Sequence, residues 1–325
     1  MKSLAVGRLE ISRMKKIVLA ADLGGTNFRM AAVMKSGELV SRVKYPTPRA
    51  ENSNSLIEKM TEAARECLSN GEEVEAVGVS VAVPATVNVE TGTIIKGPNL
   101  PELDGSQLAL DLGRNLNLPG VLENDANAAA IGENWLGASK GFSTSLMVTL
   151  GTGVGGGIIL AGNILDGVDG TAGEIGHICV EPEGAKCGCG SFGCVEQYSS
   201  ASAIVRMAKE NMSKEAISKV AKTDITSKDV YELAKGGDEE ALGVFERQGF
   251  YLGIALAGLI NTLNPEVVVI GGGAAAGWDL FIPQTQEQIR IRAYRTAAER
   301  AKLVRAVLDD DAGIIGAARL GFDAC

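Results

Sequence analysis

The chain has 325 residues, of which 46% are hydrophobic, only 4% are aromatic and 41 are glycine, and its formal net charge is −9. That length exceeds one small core, so two domains are expected, and the glycine-rich, aromatic-poor profile suits an α/β protein with tight strand-to-helix turns. The acidic balance excludes a nucleic-acid surface, which needs clustered Lys and Arg, and no stretch reaches the roughly 18 apolar residues of a membrane span.

Residues 1–13 read as an extension before the first strand, with Met14 as an alternative start. The apolar run IVLAA after Lys15-Lys16 stops at Asp22, too short for a secretion signal, so a cytoplasmic protein is expected. KKIVLAADLGGTNFRMAAVM predicts strand, glycine turn, strand, with apolar runs at 17–21 and 30–34. Leu56, Met60, Ala63, Ala64, Cys67 and Leu68 form a helical stripe over 51–69. VEAVGVSVAVP predicts a buried strand ended by Pro84, and VLEND at 121–125 runs into an alanine-rich helix closed by Gly137. TSLMVTLGTGVGGGIIL at 144–160 repeats the opening strand–glycine–strand theme about 130 residues later, which points to a duplicated domain. Helices follow at SKDVYELAKGG and at DEEALGVFERQGFYLGIALAGLINTLN, the latter broken by Asn264-Pro265. EVVVI then predicts a strand opening into Gly271–Gly273, and a last helix starts near Asp311.

Five constellations carry chemistry. In DLGGT, Asp22 to Thr26, glycines between strands can turn backbone N–H groups on an anion, and Asp22 could hold a hydrated Mg²⁺; the alternative is a ligand-free hairpin. LGTGVGGG, Leu150 to Gly157, holds five glycines in eight residues and offers a second phosphate turn or a tight β-turn. IGGG, Ile270 to Gly273, follows a strand and suits a nucleoside lying on glycine backbone. In ENDAN, Glu123 to Asn127, local sequence favours Asp125 as a helix N-cap, and a general base beside transferring phosphate is the functional alternative. Lastly, the sole histidine, His177, precedes Cys187, Cys189 and Cys194, a set suited to tetrahedral Zn²⁺. Cys179 in HICV reads as a buried small hydrophobe, Cys67 as core and Cys325 as terminal.

DLGGTNFR, ENDANAAAIGE, LGTGVGGGIILAG, GTAGEIGH and CGCGSFGCVE, in this order, resemble the ROK family of sugar kinases and related repressors, from about residue 16 to the C-terminal helix. The resemblance implies the actin-like ATPase (ribonuclease H-like) architecture: a duplicated two-domain α/β fold with an interdomain cleft. It implies a small N-terminal domain over 14–123, with helix 311–323 packing back on it, and a large domain over 124–310 carrying a zinc loop at 177–194. The implied activity is ATP-dependent phosphorylation of a hexose, most often glucose at its 6-hydroxyl. Asp125 would then be the catalytic base. Asn99, Asn124, Glu174, His177 and Glu196 would hold sugar hydroxyls. Asp22, Gly24, Gly25, Thr26, Asn27, Thr152 and Gly153 would grip phosphates, and Gly272 and Gly273 would back the adenosine. His177, Cys187, Cys189 and Cys194 would form a closed structural zinc site with no catalytic position. ATP with Mg²⁺ and a structural Zn²⁺ are thus expected, with a homodimer or homotetramer and no nucleic-acid or membrane partner.

AVPATVN, with Ala85, departs from the glycine-rich turn the family often carries there, which leaves that loop's sugar contacts open. Mannose, fructose, N-acetylmannosamine and N-acetylglucosamine are the alternative acceptors, and polyphosphate the alternative donor. A sugar-sensing repressor of the same family would carry a DNA-binding domain ahead of DLGGT, where only 21 residues precede Asp22.

Overall fold

The structure, a computed structural model, describes residues 14–48, 53–69, 74–218, 220 and 224–325; the expected extension at 1–13 lies outside them. Strands β1 (Lys15–Leu23), β2 (Asn27–Met34) and β3 (Leu39–Pro46) form an antiparallel meander. After helix α1 (Asn54–Ser69), β4 (Val74–Val83) pairs in parallel with the other edge of β1. A small hairpin of β5 (Thr86–Asn88) and β6 (Thr93–Lys96) and helix α2 (Leu108–Leu116) lead to β7 (Gly120–Asn124), parallel to β4. The first sheet therefore runs 3-2-1-4-7. Both of its faces are covered, so β1 shows a continuous apolar run rather than alternation. Ile17, Leu19 and Ala21 pack with the α1 and α2 side, whereas Val18 and Ala20 pack with the C-terminal helix.

Helix α3 (Asp125–Leu136) links to the second half, β8 (Ser145–Leu150), β9 (Val154–Leu160) and β10 (Asn163–Ile164). Helices α4 (Glu196–Ser199), α5 (Ala201–Asn211), α6 (Lys214–Ser218), α7 (Ser227–Lys235) and α8 (Glu239–Leu263) precede β11 (Val267–Gly271). Then come α9 (Trp278–Arg292), α10 (Arg295–Arg300), β12 (Lys302–Arg305) and α11 (Ala312–Asp323). The second sheet runs 10-9-8-11-12, again a meander of three with two parallel strands added. This is the duplication that the repeated strand–glycine–strand units announced. Helix α8 starts where the Asp238 side chain accepts the Ala241 N–H and stops at Asn264, left-handed at φ 48°, just before Pro265. Phe245 of α8 and Phe281 of α9 are fully buried in this half, each worth about 1.5–3 kcal/mol. No helix among the described residues is long and apolar enough to cross a membrane.

Two helices lie between the sheets. Helix α3 packs on β8 and β9, α11 packs on β1 and β4, and the two pack on each other. Their crossing is made of backbone: a Cβ on Gly316 would strike the Ala128 carbonyl, and one on Gly132 the Ala312 carbonyl. Glu133, fully buried near the end of α3, accepts N–H bonds from Ala138 (2.6 Å), Val307 (3.0 Å) and Leu308 (2.8 Å). It thereby fixes the segment between β12 and α11 to the helix that begins at Asp125.

Candidate active site

A cleft of about 760 Å³ opens between the two sheets at the ends of their central strands. Of the residues singled out in the sequence, Asp22, Asn99, Asn124, Asp125, Thr152, Gly153, Glu174, His177, Glu196 and Gly272 line it. Gly24, Gly25, Thr26 and Asn27 form the β1–β2 turn and Gly273 begins the turn after β11; neither set reaches the lining.

Asp125 begins α3 at the floor of the cleft. The helix cap is Asn124, one residue before the local favourite: it is extended (φ −64°, ψ 145°) and its Oδ1 accepts from Ala126 N (2.9 Å) and Asn127 N (3.1 Å). Asn124 Nδ2 donates to the Ala85 carbonyl (3.1 Å), so the AVPATVN loop positions this turn through its backbone. Released from capping, the Asp125 carboxylate keeps one bond, from Ala126 N (2.8 Å). Burial, reinforced by the charges of Asp22 and Glu174, pushes it up to about 7 against the pull of that bond. Behind it, Glu123 is also pushed up to about 7 by burial, although it accepts from Asn127 Nδ2 (3.1 Å) and Asn124 N (2.8 Å).

Asp22 ends β1 opposite and pairs with the Arg29 guanidinium of β2. Arg29, Asp309 and Asp310 line the same end of the cleft, and none of the three was singled out from the sequence. Asp22 Oδ1 has no protein partner among the described residues, so one carboxylate oxygen is available to a hydrated cation.

The glycine run at 150–157 divides into two. Gly151–Gly153 make the turn between β8 and β9, whereas Gly155, Gly156 and Gly157 lie in β9 because nothing larger fits there. A Cβ on Gly157 would sit 2.9 Å from the Ala126 carbonyl, and one on Gly156 would meet the Ile175 side chain. Gly272, at φ 88°, needs its glycine: a Cβ would come 2.6 Å from the Leu150 carbonyl, where the turn after β11 touches the end of β8.

Glu174 and His177 follow Gly173, which has φ 82°, on a single 3₁₀ turn over Ile175–His177. His177 presents Nδ1 to Cys187 Sγ (3.7 Å), while Nε2 stands 3.9 Å from Glu174 Oε2. The ligand atoms of His177, Cys187, Cys189 and Cys194 all lie within 4.8 Å of one another, with Cys189 Sγ and Cys194 Sγ 3.7 Å apart. Thiolates about 2.3 Å from a tetrahedral Zn²⁺ stand about 3.8 Å from each other, so this donor set fits zinc. Cys179 is exposed, against expectation, and pairs with Cys194 in an isolated antiparallel bridge rather than within a covered strand. Cys67 is buried, as read, and the terminal Cys325 is exposed.

The chain matches the ROK family profile over residues 18–323. The glucokinase of Halalkalibacterium halodurans is 38% identical over 92% of both chains, and that of Thermotoga maritima is 34% identical over 93% of this chain and 96% of its own. Among solved structures, a ROK family glucokinase from Streptomyces griseus in complex with glucose and AMPPNP superposes with a TM-score of 0.80 at 31% identity, over 94% of this chain and 99% of that one. With the family profile matching over residues 18–323 and these relatives at 34–38% identity over more than nine tenths of the chain, the chain belongs to the ROK family.

Proposed function

We propose that this chain is a glucokinase, transferring the γ-phosphate of Mg·ATP to the 6-hydroxyl of glucose. The observation that carries the reading is Asp125, a carboxylate raised to about 7 at the floor of a cleft that also holds a glycine turn and a set of hydroxyl-binding side chains. A carboxylate near neutrality is matched to taking a hydroxyl proton at physiological pH. The family and the named glucokinase relatives support the same reading.

On this reading Glu174, Glu196, His177 Nε2 and Asn99 accept or donate to the sugar hydroxyls and aim the reacting oxygen at the phosphorus. Asp125 accepts the hydroxyl proton as that oxygen attacks. The Gly151–Gly153 turn faces the phosphates and Gly272 supports the adenosine, while the β1–β2 turn, Gly24 to Asn27, and Gly273 adjoin these positions from outside the lining, next to Asp22 and Gly272. Asp22 holds the hydrated Mg²⁺, which when bound neutralises charge on the phosphates. His177, Cys187, Cys189 and Cys194 hold Zn²⁺ structurally, fixing the loop from which His177 and Glu196 face the sugar. Catalysis is then positioning and charge stabilisation more than covalent chemistry.

The test is ADP release from Mg·ATP against a panel of hexoses and N-acetylated amino sugars. Glucose-selective turnover is expected. Selective turnover of another sugar would reassign the acceptor, turnover with polyphosphate alone would reassign the donor, and no transfer to any sugar would overturn the kinase reading.

A further inference from the structure

The Gly151–Gly153 turn is shaped almost wholly from outside itself. The Ala201 N–H donates to the Gly151 carbonyl (2.8 Å) and Ser202 Oγ to the Thr152 carbonyl (2.8 Å), so α5 draws these two oxygens away from the cleft. The Gly151 N–H closes on the Gly153 carbonyl (2.9 Å). The Val154 N–H is taken by Glu196 Oε2 (3.1 Å). That leaves the N–H groups of Thr152 and Gly153 without a protein partner among the described residues, at the cleft lining, where an anion can receive them. Glu196 approaches so closely that a Cβ on Gly153 would displace its Oε2 from the turn.

Glu196 has a second oxygen. Oε1 stands 3.9 Å from Cys187 Sγ, on the side of the carboxylate toward His177, and the residue lines the cleft. One carboxylate thus has one oxygen on the phosphate turn and the other available to a hydroxyl.

Resting on the sugar-and-nucleotide reading above, we infer that Glu196 is a positioning residue for the nucleotide, coupling sugar occupancy to the grip on the phosphates. A sugar hydroxyl donating to Oε1 fixes the side-chain rotamer, and that holds Oε2 on the Val154 N–H. The ordering of the turn is then complete before the phosphates arrive. Linkage makes the effect reciprocal: nucleotide tightens sugar by the same factor.

The experiment is calorimetric titration of the full chain with AMPPNP and Mg²⁺, with and without saturating glucose, which involves no turnover. In the unaltered protein glucose tightens AMPPNP about fivefold or more. Glu196→Ala weakens AMPPNP at least about tenfold even with no sugar present, because a hydrogen bond to a charged group is lost from a turn that Glu196 shapes without touching the nucleotide. Retained sugar-free affinity in that variant would reduce Glu196 to a sugar ligand and overturn the inference. Ser202→Ala, which removes only the hold on Thr152, guards against a variant that fails to fold: it weakens AMPPNP about two- to tenfold and leaves glucose affinity in the nucleotide-free protein unchanged. Unchanged AMPPNP affinity in both variants refutes the coupling alone. Failure of the unaltered protein to bind AMPPNP at all refutes the donor reading, and the coupling with it.

Discussion

Asp125→Asn separates stability from activity. In an unfolded chain this carboxyl titrates at 3.8, and the folded cleft raises it to about 7. At 1.36 kcal/mol per pKa unit, ionising it in the folded protein costs about 4 kcal/mol of stability above pH 7. Asparagine removes the charge and keeps an oxygen for the Ala126 N–H. Because the folded state binds this proton more tightly than the unfolded state, the cost is absent below about pH 4, grows from pH 4 to 7 and is complete above 7. The variant is therefore expected to be about 4 kcal/mol more stable than the parent in urea at pH 8, with a gap about four tenths as large at pH 5. Its turnover in the ADP-release assay falls about 10²- to 10⁴-fold while glucose and AMPPNP still bind. Equal stability of the two proteins at pH 8 would refute the desolvated carboxylate, and near-normal turnover would remove Asp125 as the base.

The pH profile of kcat/KM is expected to rise with an apparent pKa of about 7 as Asp125 loses its proton; an acid limb near pH 4 would contradict the environment described for it. Cys187→Ser releases zinc, measured as metal content of the purified protein, and raises the KM for sugar because His177 and Glu196 lose their support; unchanged metal content would remove the zinc site. Glu133→Ala strands the N–H groups of Ala138, Val307 and Leu308 and lowers stability by about 3 kcal/mol or more in urea unfolding, whereas Glu133→Gln, which keeps an acceptor, loses less. Gly316→Val drives a side chain into the Ala128 carbonyl and abolishes the cooperative thermal transition; a transition close to that of the parent would mean α3 and α11 do not meet through their backbones.

Much of the site was readable because its chemistry is dense in the sequence: His177 with three cysteines, ENDAN at a strand-to-helix junction, and glycines at strand ends. The duplicated sheet was readable for the same reason, since two rare strand–glycine–strand units open its halves. What escaped was decided by distance in three dimensions. Arg29 is one charged residue on a strand, and only the pairing of β1 with β2 brings it to Asp22. Asp309 and Asp310 enter the cleft because Glu133 holds the two residues before them from another helix. Asn124 and Asp125 are both good caps, and it is the extended backbone at Asn124 that selects it. Glycine is equally suited to a phosphate turn and to close helix packing, so Gly155–Gly157 could not be told from Gly151–Gly153 by composition. Strand β3, the β5–β6 hairpin, α2, α9 and α10 lacked a strong periodic or glycine signal and were not anticipated.

The walls of the cleft bear Asp22, Asp125, Glu174, Glu196, Asp309 and Asp310 against the single guanidinium of Arg29. A free hexose carries no charge, so it enters such a cavity without electrostatic cost. On the proposed reaction the same molecule leaves with a phosphate and two negative charges. Each unit charge held about 6 Å from a wall carboxylate at an effective dielectric of 20 is repelled by about 3 kcal/mol. On that reading weak inhibition by the sugar phosphate is expected, because the proposed sugar-binding carboxylates repel the charged product.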